Sequence, residues 1–294
     1  MIRAVVEANR QTYAMSIDDP GPVVQRLVLG AELRDLREAA GITPEEAARQ
    51  LGWYGTKVSK IENGDGKLTE AEVNKLLELY AAPPAAADKV RRLAKEARRK
   101  IAPARVTDWA KKYVALEASA SEIKIWFGDC VPGLLQTKEY ARAVLSASVV
   151  VPSAEVEEMA ESREQRSARL FGPNPPLLWV VLGEEAIRRP VGGPNVLRDQ
   201  LVKLRELAHL DHVTLQIMPQ DNGAHAGLGL SFTLLHLAAA GTTIAYVESL
   251  TSADYLGRPK HTRAYSLVFD RLRVAALSDT ASLALIDKQI AELG

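Results

Sequence analysis

Residues 41–64 constrain the fold more than any other stretch of the chain. Gly41, Gly52 and Gly64 cut it into pieces that hold only single short helices. Thr43-Pro44-Glu45-Glu46 is a capping box with proline at the first helical position, so a helix starts at Pro44 and runs to Leu51. Gly52 makes a turn, and another short helix follows from about Gly55 to Glu62, closed by Asn63-Gly64. Ala47 and Ala48 leave room for a neighbouring helix, while Val58 and Ile61 face inward. Upstream, Leu29, Leu33, Leu36 and Ala40 fall on one helical face that ends at Gly41. Downstream, Thr69-Glu70-Ala71-Glu72 is a second capping box, opening a helix with Val73, Leu76, Leu77 and Tyr80 inside.

A short capped helix, a glycine turn and a second short helix with a polar outer face describe a helix-turn-helix. An ordinary helical mini-domain has the same parts. The run Gly41-Ile-Thr-Pro-Glu-Glu-Ala-Ala-Arg-Gln-Leu-Gly52, followed by Lys57-Val-Ser-Lys-Ile-Glu-Asn-Gly64, goes further and closely resembles the Xre/phage-repressor type of DNA-binding domain. The resemblance implies a third helix in the major groove with its N-terminal residues at base edges. It places Gly55, Thr56, Lys57, Ser59 and Lys60 on the exposed face, with Thr56, Lys57 and Lys60 able to bond base edges. It sets Thr43 and the N–H groups of the second helix on a phosphate, and makes Arg34, Arg37 and Asn63 further phosphate contacts. Gly55 departs from the family's usual polar residue and offers no side chain for readout. Arg49 reads as solvated helix surface.

Charge distribution qualifies this picture. The whole chain balances 37 basic against 37 acidic residues, so the total names no partner. Residues 24–64 hold six of each sign, and since phosphate binding scales with the positive charges engaged, this stretch alone should bind DNA weakly. Residues 88–112, beyond the helix-breaking Pro83-Pro84, carry ten basic and three acidic residues, a local excess of seven. They form either a solvated helix face between domains or a nucleic-acid contact through residues such as Arg98 and Arg99. Dimerisation is the other source of missing affinity.

The remainder changes character. Helical periodicity covers residues 137–149, 153–170, 194–208 and 260–292, and strand-like runs cover 177–182, 213–218, 230–237 and 243–248. The expected architecture is multidomain. A loose arm spans residues 1–22 and an all-α helix-turn-helix domain spans 23–82. A Pro/Ala break and basic connector helix span 83–115. Residues 116–294 form an α+β domain with a small sheet of about four strands covered by helices.

A second resemblance lies in Trp126-Phe-Gly-Asp-Cys-Val-Pro-Gly-Leu-Leu-Gln-Thr-Lys-Glu-Tyr-Ala-Arg142. It is similar to the C-terminal domain of actinomycete Xre-type regulators, whose hallmark is the Pro-Gly-Leu-Leu-Gln-Thr segment at 132–137. The resemblance implies an antitoxin-like transcriptional regulator, often encoded beside a small acidic companion protein. A dimeric regulator on double-stranded DNA is expected, its second domain binding that companion or sensing a signal. The alternative is an interaction module whose main role is to hold the companion. Gln136, Tyr140, Arg142, Arg163 and Arg166 form the expected partner surface, because interfaces favour arginine and aromatic anchors. Against this, Tyr140 could pack inside and the arginines could pair with glutamates of their own helices.

Catalysis is not expected, and neither is a cofactor or metal. His209-Leu-Asp-His212 has ligand spacing but no third ligand nearby in sequence. Cys130, the single cysteine, has no activating neighbour and suits a reducing cytosol. No glycine-rich phosphate loop is present. The start of the chain lacks an apolar signal-peptide core and no apolar run is long enough to span a bilayer, so a cytoplasmic protein is expected.

Overall fold

The computed structural model describes residues 21–99 and 110–294. The chain divides into two compact units, Met1–Pro103 with Ala238–Gly241, and Ala104–Leu237 with Thr242–Gly294. Of the expected N-terminal arm, residues 1–20 lie outside the described residues, and Gly21 and Pro22 already belong to a helix.

The first unit comprises helices α1 (Gly21–Ala39), α2 (Pro44–Gln50), α3 (Lys57–Glu62), α4 (Glu70–Leu79) and α5 (Pro84–Ala97). Both capping boxes form. Thr43 Oγ1 accepts from Glu46 N at 3.2 Å while Glu46 Oε2 accepts from Thr43 N at 2.8 Å, and Thr69 and Glu72 repeat the pattern at 3.3 and 2.8 Å. The core joins Leu29 and Leu33 of α1, Ala47 and Ala48 of α2, Val58 and Ile61 of α3, and Val73, Leu76 and Leu77 of α4.

Two features depart from expectation. Ala87, Val90, Ala94 and Ala97 of α5 lie buried in the same core, so this helix is part of the bundle rather than a connector. Its apolar positions recur at three- and four-residue intervals, a pattern that its run of basic residues disguises. The second feature is Gly30, in the middle of α1. A Cβ there would meet the Ile61 and Glu62 carbonyl oxygens at 2.6 Å. Only glycine lets α1 cross the end of α3 this closely.

The second unit opens with α6 (Ala110–Ser119) and continues β1 (Glu122–Phe127), α7 (Lys138–Ser146), α8 (Val156–Ser167), β2 (Leu177–Gly183), α9 (Glu184–Arg188), α10 (Pro194–Ala208), β3 (Val213–Met218), β4 (Phe232–Leu237), β5 (Thr242–Glu248), β6 (Ala253–Leu256), α11 (Pro259–Ala275) and α12 (Asp279–Glu292). Its sheet has six strands in the order β3-β2-β1-β4-β5-β6. Strands β3, β2 and β1 run parallel, with Ile125 beside Val180 and Val180 beside Leu215. The pairing then turns antiparallel, with Ile125 beside Thr233. The two strands beyond the expected four are β1, whose Glu122 and Lys124 interrupt the apolar run, and the four-residue β6. The expected helix 260–292 is two helices, separated where Ser278 caps α12 by accepting from Ala281 N at 3.3 Å.

Apolar side chains of α11, Phe269 and Leu272, pack with Trp126, Phe232 and Leu234. The outer edge of β3 is covered, since Ile217 N donates to Ser282 Oγ at 2.9 Å and Ile217 O accepts from Leu277 N at 2.9 Å. That removes a free edge from which sheets aggregate.

Candidate nucleic-acid interface

The α2–turn–α3 unit presents one polar face. Tyr54, Gly55, Thr56 and Lys60 are exposed, Tyr54 at 62%, and Lys57 and Ser59 are partly buried. Tyr54 was not among the expected contacts. Its signal was the aromatic pair Trp53-Tyr54 directly before the third helix, of which Trp53 packs on the core and Tyr54 does not.

Of the side chains expected on DNA, several are engaged within the protein. Arg37 is only 6% exposed; its Nε donates to Glu62 Oε1 at 2.6 Å, its Nη2 to Oε2 at 3.1 Å and its Nη1 to Ile42 O at 2.8 Å. The Glu62 hydrogen bonds raise the guanidinium above its ordinary range. It is a core residue, and the expected phosphate contact through Arg37 is corrected accordingly. Arg34 donates to Glu62 Oε2 at 3.2 Å and to Asn63 Oδ1 at 2.9 Å, so Arg34 and Asn63 fasten α1 to the end of α3. Lys57 pairs with Glu72, and its ammonium lies 4.1 Å from the centre of the Trp53 ring. Base readout by Lys57 would have to break both contacts.

Thr43 is exposed; its hydroxyl oxygen caps α2 and its own N–H donates to the Glu46 carboxylate. The hydrogen bond from Thr43 N holds Glu46 below the usual carboxylate range. Arg98 and Arg99, just beyond α5, are exposed; Arg98 Nη1 donates to Leu68 O at 3.5 Å and Arg99 Nη1 to Glu96 Oε2 at 3.2 Å. Residues 100–109 of the basic stretch 88–112 lie outside the described residues, and 110–112 open the next helix.

The expected partner surface is not a surface. Gln136 is 2% exposed and Tyr140 fully buried. Gln136 Nε2 donates to Val131 O at 2.7 Å, its Oε1 accepts from Arg163 Nη1 at 2.7 Å, and Tyr140 Oη accepts from Val131 N at 3.2 Å. Arg166, its side chain 11% exposed, pairs with the buried Glu117 at 3.4 Å. Arg142 is the most accessible of the five, its side chain 43% exposed, and it forks onto Glu157 at 2.8 and 3.2 Å. The cause is chemical: segment 132–137 runs through the interior, and its backbone needs buried polar partners. Gln200 serves Thr137 N and Leu135 O, while Lys203 serves Gln136 O. Burial, then Asp129, pushes the Cys130 thiol up to about 12.

This geometry defines the class. Residues 28–90 match the family model described as a helix-turn-helix domain, and the first unit is a helix-turn-helix of the DNA-binding kind. Residues 110–288, more than half of the chain, match the family described as "Domain of unknown function (DUF5753)", and the chain belongs to that family. Comparison with the curated proteins and with solved structures returned no match. Among the described residues no helix is long and apolar enough to cross a membrane.

Proposed function

We propose that the chain is a sequence-specific transcriptional regulator that lays α3 in the major groove. The observation that carries this reading is the exposed, unburdened run Tyr54–Thr56 with Lys60, at the entry to and along the face of α3. There a hydroxyl, a phenol and an ammonium are free to meet base edges and phosphates. We read it as a cytoplasmic, non-enzymatic homodimer without cofactor, of the antitoxin-like Xre type found in actinomycetes. Its second unit binds a small acidic companion protein or senses a signal.

Footprinting on the DNA upstream of its own gene tests the reading. A protected site that Thr56→Ala/Lys60→Ala abolishes, with the fold intact by circular dichroism, is the expected result. Protection that is absent, or unchanged in the variant, overturns it.

One observation favours the interaction module as a second reading. Arg34, Arg37 and Lys57, half of the basic residues in 24–64, are spent on internal contacts. Fewer charges are left for phosphates, and affinity for DNA falls with each.

A further inference from the structure

We propose that the second unit holds a binding site for a phosphoryl group where Arg163 and Arg166 of α8 converge on Gly133, in the turn that follows β1. A Cβ on Gly133 would lie 3.1 Å from Arg166 Nη2 and 3.5 Å from Arg163 Nε. Two guanidinium groups, three residues apart on one helix, thus reach the same backbone carbon. Like charges held this close repel unless something negative lies between them.

The charge count around the turn supplies the second argument. Arg163, Arg166, Arg169 and Lys203 are all partly buried here, and Glu117 is the buried carboxylate that faces them. Glu117 takes Arg166. The other three cations rest on neutral oxygens: Arg163 on Gln136 Oε1 at 2.7 Å, Arg169 on the Glu117 and Ala120 carbonyls at 2.5 and 2.6 Å, and Lys203 on Gln136 O and Ser167 Oγ at 2.7 and 2.9 Å. Glu248, Glu164 and Glu206 act on this group from exposed positions. Half-buried cations whose remaining counter-charges sit at exposed positions are costly, and an anion bound between Arg163 and Arg166 brings negative charge to the site itself. Arg166 Nε is also buried, with no hydrogen-bond partner among the described residues. Such orphaned donors are rare in native interiors.

The turn follows β1, and β1 is the strand at which this sheet passes from parallel to antiparallel pairing. Paired guanidinium forks match the oxygens of a phosphoryl dianion better than those of a carboxylate, which neutralises only one of them. Both arginines are only partly buried. The inference rests on the reading of this unit as a receiver of signals.

Thermal unfolding of the full chain tests it, with inorganic phosphate and a nucleoside monophosphate as probes at constant ionic strength in chloride. The expected result is a saturable rise of about 2–4 °C, lost in Arg163→Gln and Arg166→Gln and weakened in Gly133→Ala. The alanine variant keeps both arginines but places a methyl group between them, so it serves where the arginine variants fail to fold. A response to the nucleotide alone assigns the phosphoryl group to an ester, and a response to both assigns it to the group itself. No rise above chloride, or a rise retained in all three variants, overturns the site. So does a rise lost in Lys60→Ala, which would place the anion on the DNA face. Because footprinting is read separately, loss of DNA binding and loss of phosphate binding are told apart.

Discussion

Arg37 and Glu62 meet side by side inside the first unit, Nε to Oε1 at 2.6 Å and Nη2 to Oε2 at 3.1 Å, and so join α1 to the end of α3. Glu62 is the last residue of the helix proposed to read DNA. Arg37→Ala leaves the Glu62 carboxylate buried without its main partner and should destabilise the unit by about 3–5 kcal/mol. Arg37→Met/Glu62→Leu, which removes both charges, should lose far less. Urea unfolding of the two variants checks this, and equal losses would show that the pair does not act as a pair.

Gly30 makes a second, opposite claim on helix chemistry. By intrinsic propensity alone, Gly30→Ala would stabilise α1 by about 1 kcal/mol. The Cβ contact at 2.6 Å with two backbone carbonyls outweighs this, because backbone cannot turn aside as a side chain can. A net destabilisation of about 1–3 kcal/mol is expected. A higher melting temperature for the variant would show that α1 and α3 do not cross as described.

On the DNA face, Tyr54→Ala and Lys60→Ala should each weaken binding by about 1–3 kcal/mol if they meet bases, with the loss concentrated at one base position. Lys57→Ala should act differently. Its ammonium is held by Glu72 and Trp53, so its removal should lower stability more than specificity. Binding measured across a set of single-base variants of the site separates these outcomes.

Lys203 gives the second unit a pH dependence. Burial pushes its ammonium down to about 8, from an ordinary value of 10.5. Between these values the unfolded chain binds the proton that the folded chain has released, so stability rises with pH from about 8 to about 10.5. Below pH 8 both states carry the proton and the burial penalty stands in full. Subtracting the unfolding curve of Lys203→Met from that of the parent over pH 7–11 should isolate this rise. A flat difference would place Lys203 in water.

Sequence alone determined the helix-turn-helix, because each of its signals is local. The Thr43 and Thr69 capping boxes act within three residues, the turn at Gly52 follows from backbone sterics, and the inward faces of α1 and α4 follow from helical period. The α+β character of the rest was legible for the same reason, in the apolar runs of β2, β3, β4 and β5. What only the tertiary structure decided is where polar side chains end up. Arg37, Gln136, Tyr140 and Arg166 read as surface residues from their type, yet the first three lie inside and Arg166 is largely covered; Arg37 pairs with Glu62, Gln136 with Arg163 and Arg166 with Glu117 from distant parts of the chain, while Gln136 and Tyr140 also bond the nearby Val131. Strand β1 escaped notice because Glu122 and Lys124 flank its buried isoleucines, and α5 because its core face is mostly alanine. Burial of a charge depends on a partner that the fold brings from elsewhere, and no local pattern encodes that partner.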